Sequence, residues 1–131
     1  MSDEETRTAA FGTYGITLKN PNYFISGRSE ERRIVAISLW LHELEGADGS
    51  RFYERPSWGD WFIKAKRAFF DDLNWSRKEL DGIVHLVVAV ADEEARSSGL
   101  FRTKSNHARP DLVMKIVHMD PEVGSFRLEQ I

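Results

Sequence analysis

Ile83-Val84-His85-Leu86-Val87-Val88-Ala89-Val90-Ala91, bounded by Gly82 and Asp92, is the longest apolar run of the chain, and its reading decides the fold. A buried helix is the alternative to a strand. Four valines and an isoleucine in this run argue against it. β-Branched side chains lose rotamer freedom in a helix and pack well on a pleated surface, and the length suits a strand. The run is predicted to be a central strand covered on both faces.

Working back from it, Trp58, Trp61, Phe62, Ala65, Ala68, Phe69 and Leu73 recur at helical spacing. They define one apolar face of a helix over Trp58–Leu73, with Ser57 as N-cap and Asp60 completing a capping-box variant. Ile63 and Phe70 share a separate flank, while Lys64 and Arg67 are matched by acids four residues away. Ser76 and Glu79 form a second capping box, which Gly82 limits to about one turn. Glu43–Pro56, polar and carrying Gly46 and Gly49, reads as a surface loop.

Before that loop, Val35, Ile37, Leu39 and Leu41 alternate with Ala36, Ser38, Trp40 and His42, the period of a strand with one apolar and one mixed face. Tyr23–Arg28 and Arg33–His42 are expected to pair as a hairpin across Ser29–Arg32, and Tyr14–Leu18 is a further short strand. After the central run, Asp92–Ser98 suits a short helix and Leu100–Asp111 a polar, basic connection. Leu112–Met119 and Ser125–Ile131 close the chain as a hairpin about the turn Asp120–Gly124.

Strands at both ends around one helix give an α+β fold rather than an alternating one. The expected architecture is a single, mostly antiparallel sheet of five to six strands with one main amphipathic helix on one face. Curling would bring it toward a half-barrel. The 131 residues make one domain, with 1–10 a flexible tail and 11–131 the α+β body.

Composition narrows the function classes. The absence of cysteine excludes disulfides, thiolate zinc sites and a cysteine nucleophile. Eighteen basic and 21 acidic residues leave a net charge of −3, so any polyanion must be met by a local patch. No apolar run approaches the roughly 20 residues that cross a bilayer, so no membrane is expected. Met1–Ala10 is polar and acidic, unlike a secretory signal, and a cytoplasmic location is expected.

Three stretches together carry a resemblance: Asn20-Pro-Asn-Tyr-Phe-Ile-Ser-Gly-Arg-Ser with Val35-Ala-Ile-Ser-Leu-Trp40, Leu73-Asn-Trp75 through Asp81-Gly-Ile-Val-His-Leu-Val-Val, and Leu112-Val-Met-Lys-Ile with Asp120-Pro-Glu-Val-Gly-Ser-Phe. The pattern resembles an uncharacterised family of small stand-alone bacterial proteins over about residues 20–129. It implies a single small bacterial domain and brings no activity or site with it.

Three constellations could carry chemistry. Ser38, Trp40 and His42 share the mixed face of their strand, and His85 lies on a face of the central strand lightened by alanines. If those faces meet, an aromatic wall and imidazole donors could hold a planar ligand such as a base. The bland reading is ordinary sheet surface and a core histidine. Secondly, Arg96, Arg102, Lys104, Arg109 and Lys115 face one acid, Asp111, over twenty residues. With His107, Gly99 and the ring of Phe101, they suit phosphate contacts unless neighbouring acidic loops neutralise them. Thirdly, Trp58, Trp61 and Trp75 could cage a cation or base, although packing explains them as well.

Enzyme signatures are mostly missing. His42-Glu43 lacks the second histidine of a zincin helix, and no glycine-rich phosphate loop follows a strand. Asp92, Glu93 and Glu94 could hold a magnesium ion beside Lys104 or Lys115, but the Glu-x-Lys of common nuclease cores is absent. No cofactor is expected. The leading expectation is a non-enzymatic nucleic-acid-binding module for DNA or RNA. Behind it come a protein–protein adaptor or inhibitor docking through Ile63 and Phe70, and a small metal-dependent hydrolase or nuclease. The leading expectation depends on the late cations facing outward without acid partners.

Overall fold

The computed structural model describes residues 6–20, 24–47, 49–59, 63–92 and 103–131. Helix α1 spans Arg7–Gly12, strand β1 Ser26–Ser29 and β2 Ile34–Trp40, which runs into a 3-10 turn at Leu41–Glu43. Strand β3 (Phe52–Arg55), helix α2 (Ile63–Glu79) and strands β4 (Ile83–Ala91), β5 (Thr103–Asp120) and β6 (Ser125–Gln130) follow. The six strands form one sheet in the order β1-β2-β4-β5-β6-β3. β2 and β4 are parallel, and the other four neighbouring pairs are antiparallel. This is the α+β architecture that the sequence implies, with α2 as its main helix.

The parallel pair follows from connectivity. Two strands can be joined in parallel only by a long crossover, and here β3 and α2 form it. β4 lies inside the sheet between β2 and β5, as its composition predicts. Val84, Leu86 and Val88 face α2, where they join Val35, Ile37 and Leu39 of β2, Met114 of β5 and Phe126 and Leu128 of β6. From α2, Ala65, Phe69, Phe70 and Leu73 complete this layer. Ala36 and Val87 point to the other face, where Ala10, Phe11, Tyr14, Ile16 and Leu18 cover them.

Several boundaries differ from those expected. Helix α1 lies partly within residues 1–10: Thr6 caps it by accepting from the Ala9 amide, and Ala10 and Phe11 are fully buried. Tyr14–Leu18 buries alternate side chains as a strand would, yet it belongs to no strand of the sheet and only crosses its face. Gly27 on β1 admits Ile16 so closely that a Cβ there would collide with its side chain. Trp58 is not helical; Gly59 follows it with φ +77°, and the Trp58 amide donates to the Val123 carbonyl at 3.3 Å. Asp60, Trp61 and Phe62 lie outside the described residues.

The second capping box does not open a new helix. Ser76 lies inside α2, and its buried hydroxyl donates to the Ile83 carbonyl at 2.6 Å, tying the helix to β4. A tertiary acceptor has replaced the local one. The helix instead ends at Glu79, and Asp81 and Gly82, both at positive φ, turn the chain into β4.

Two segments read as loops are strands. Within Glu43–Pro56, Phe52–Arg55 forms β3 and pairs with β6. In the expected connection Leu100–Asp111, residues from Thr103 onward form the first half of β5. Backbone pairing with β4, not side-chain hydrophobicity, holds that half. Pro110, which has no amide hydrogen to give, falls where the partner of β4 jumps from Val113 to Arg109 and residues 110–112 bulge out. Asp92 is described, but the short helix expected over Asp92–Ser98 otherwise lies outside the described residues.

Candidate functional site

β1 pairs with β2 only from Ile34 to Ile37. The Ser38 amide still reaches the Ile25 carbonyl at 2.7 Å, but beyond it, among the described residues, no strand lies beside the outer edge of β2. At that end lies a cavity of about 310 Å³. Leu39, Tyr53, Trp58 and Phe126 give it an aromatic and aliphatic wall. Ser38, Trp40 and Ala89 form a second wall, with Ala89 directly across from Trp40 in the parallel ladder, where a larger side chain would fill the space.

Charged groups border the cavity. Tyr53 is buried and stacks on Phe126 at 5.8 Å and 18°. Its hydroxyl donates to Glu43 Oε1 at 2.7 Å, and Arg55 Nη1 stands 3.9 Å from the same oxygen. Burial, with the neighbouring Glu43 acting the same way, pushes the Tyr53 phenol well above its usual pKa, so it stays a donor. This bond also shows how far the sheet curves: β3, the strand beyond β6, touches the turn that ends β2, although the strands do not close. Arg7, from the first turn of α1, also lines the cavity. Burial lowers its pKa, but a guanidinium remains charged at neutral pH.

Of the residues expected at a ligand pocket, Ser38 and Trp40 line this cavity. His42 is exposed and its ring leans on Trp40, with centroids 5.5 Å apart. His85 stands apart. It pairs with Ala36, four positions from Trp40 along β2, or about 13 Å at strand spacing. Its ring lies 5.4 Å from that of Tyr14, and its buried Nδ1 has no hydrogen-bond partner among the described residues. Burial lowers its pKa, which favours the neutral ring. The Tyr14 hydroxyl, pushed up to about 12 mainly by burial, donates to the Leu86 carbonyl at 2.8 Å beside the β4–β5 ladder break.

The described cations of the basic segment form a line rather than a patch. Arg96 and Arg102, with Gly99 and Phe101, lie outside the described residues. Lys104 sits near the cavity end of the sheet and Lys115 opposite Ile83, roughly 20–25 Å away along β4. Arg109 forms a two-pronged ion pair with Asp111 at 3.0 and 3.1 Å, so its charge is matched. His107 bonds Ser105 at 2.9 Å. Among the described residues no acid pairs with Lys104 or Lys115. None of Lys104, His107, Arg109 and Lys115 lines the cavity.

Trp58 and Trp75, the described members of the tryptophan set, lie in different surroundings. Trp58 packs on Phe69 and Phe70 at 5.3 and 6.0 Å, whereas Trp75 lies under the guanidinium of Arg28 at 5.4 Å. Trp61 lies outside the described residues. The flank expected for a protein partner is divided: Ile63 is 55% exposed, but Phe70 is buried against Phe69 and Phe126. Glu93 and Glu94 also lie outside the described residues, and among those described no three acids or histidines gather where they could hold a metal.

Reading the sequence alone missed Arg7, Glu43, Tyr53, Arg55 and Phe126 as neighbours. Phe52 and Tyr53 between Gly49 and Pro56 were the available signal, an aromatic pair bounded by turn residues, which is the mark of a short strand. Among the described residues no helix is long and apolar enough to cross a membrane. No family model, curated protein or solved structure matches the chain.

Proposed function

We propose that the protein is a non-enzymatic nucleic-acid-binding module of the cytoplasm whose cavity takes one nucleotide unit. The observation that carries this reading is the combination at the end of β2: an aromatic slot of about 310 Å³ with Arg7 and Arg55 among its lining residues. An apolar pocket with few polar groups is the usual form of a small-ligand site. A base needs flat apolar surfaces to stack on, and a phosphate needs cations, and both are here within one cavity. Trp40 supplies the stacking face, Ser38 a hydroxyl, and Lys104, at the same end of the sheet, a further phosphate contact outside the slot.

A nucleotide unit has two sources, a free nucleotide or the end of a strand. Titration of the protein with mononucleotides, and separately with short phosphorylated DNA and RNA single strands, distinguishes them through tryptophan fluorescence and calorimetry. Strands are expected to bind more tightly than mononucleotides, and to weaken as salt rises from about 50 to 200 mM. Trp40→Ala should weaken both ligands about tenfold, the loss of one stacking face. Equal affinity for strands and mononucleotides would make the ligand a free nucleotide and remove nucleic acid from the reading. No binding by either class at millimolar concentration would refute it altogether.

A further inference from the structure

Glu43 is held at one oxygen only. Its Oε1 accepts from Tyr53 and faces Arg55, while among the described residues nothing bonds Oε2. The anchor is rigid, because Tyr53 is buried and clamped against Phe126. The cavity wall therefore carries a fixed carboxylate, a group that accepts hydrogen bonds and donates none. One Oε1 lone pair and both of Oε2 remain for a ligand.

We infer that Glu43 reads the edge of the bound base and that the preferred base is guanine. This rests on the nucleotide reading given above and names the base it selects. Guanine presents N1–H and an N2–H side by side, two parallel donors that match the two oxygens of a carboxylate. Adenine and cytosine place a ring-nitrogen acceptor beside their amino donor. Uracil and thymine flank their single N–H with carbonyl oxygens. Each of those edges sets a lone pair against the carboxylate, and an acceptor facing an acceptor is disfavoured. A site built around such hydrogen bonds discriminates far better than an apolar slot, which accepts any flat ring.

Calorimetric titration of the wild-type protein with guanosine, inosine, adenosine and cytidine monophosphates tests the assignment. Guanosine monophosphate is expected to bind about tenfold or more tightly than the adenosine and cytidine ligands. Inosine monophosphate, which keeps N1–H and lacks the 2-amino group, should fall between them. Glu43 is exposed, so Glu43→Gln should fold normally; it should lose the guanine preference while still binding the other bases. Tyr53→Phe, which releases the anchor, should lower the preference in the same direction.

If the nucleotides bind with no rank order among bases, or if Glu43→Gln keeps the wild-type preference, the guanine assignment is overturned and the nucleotide pocket stands. If no nucleotide binds, both readings fall.

Discussion

Gly124 shows how one residue controls the cavity. It occupies φ +83° in the turn before β6, and a Cβ there would run into the backbone and Cβ of Trp58. The turn residues Asp120-Pro121-Glu122-Val123-Gly124 make a glycine at this position readable from the sequence. That Trp58 depends on it is not readable, because the two residues meet only after folding. Gly124→Ala is expected to combine left-handed strain with displacement of a cavity wall, and to cost about 2 kcal/mol or more of stability in urea unfolding. Tryptophan fluorescence should shift red at the same time. His85 teaches the converse lesson. Its place on the alanine-bearing face of β4 was legible, but the residue above it, Tyr14, comes from a segment 71 positions away.

The junction of β1 with α2 holds the most unusual carboxyl group. Asp72 is 8% exposed, accepts the Ser26 hydroxyl at 2.7 Å, and lies 3.7 Å from Arg28. Burial outweighs these partners and pushes its pKa up to about 6. A carboxyl whose folded pKa lies above its unfolded value favours folding below the unfolded value, near 3.8, and that favour is lost as pH rises through 6. At neutral pH the ionised group is therefore a cost. Asp72→Asn keeps an acceptor for Ser26, and is expected to stabilise the protein by up to about 3 kcal/mol at pH 7. The difference between variant and wild type should shrink toward zero near pH 4; a difference that stays flat with pH would contradict the account. Helical periodicity located Phe69 and Leu73 on the covered face, yet it could not show that a polar neighbour, Asp72, would be buried by β1. Periodicity likewise missed β3, too short at four residues to show an alternation, and the first half of β5, whose side chains are mostly polar and which backbone ladders hold.

Across the molecule, the parallel pairing of β2 with β4 and the curve of the sheet decide which distant residues meet. Ala89 faces Trp40 because of the first, and Glu43 touches Tyr53 on the strand beyond β6 because of the second. Lys104, Arg109 and Lys115 are spread along an extended strand, since each residue of a strand advances about 3.3 Å. Lys104 and Lys115 should therefore differ in effect. Lys104→Glu is expected to weaken strand binding several-fold and to flatten its salt dependence, because the proposed reading makes Lys104 a phosphate contact near the slot. Lys115→Glu, at the far end of β4, should leave single-nucleotide affinity unchanged and affect short strands little. Equal losses from the two variants would place the strand along β5 instead of at the cavity.

Read alone, the amino-acid order settled the fold class, the central strand Ile83–Ala91, the flanking hairpins and the placing of Ala65, Phe69 and Leu73 on the covered face of the helix. Each of these rests on local periodicity and on β-branched or turn-forming residues, which act over a few neighbours. It also singled out Ser38 and Trp40 through the alternation of β2. Folding in three dimensions chose their companions: it set Arg7, Glu43, Tyr53, Arg55 and Phe126 around them and left His85 and Lys115 elsewhere. The physical reason is that strand order, the parallel crossover and sheet curvature arise from packing between segments far apart in the chain, and no local pattern of side chains encodes them.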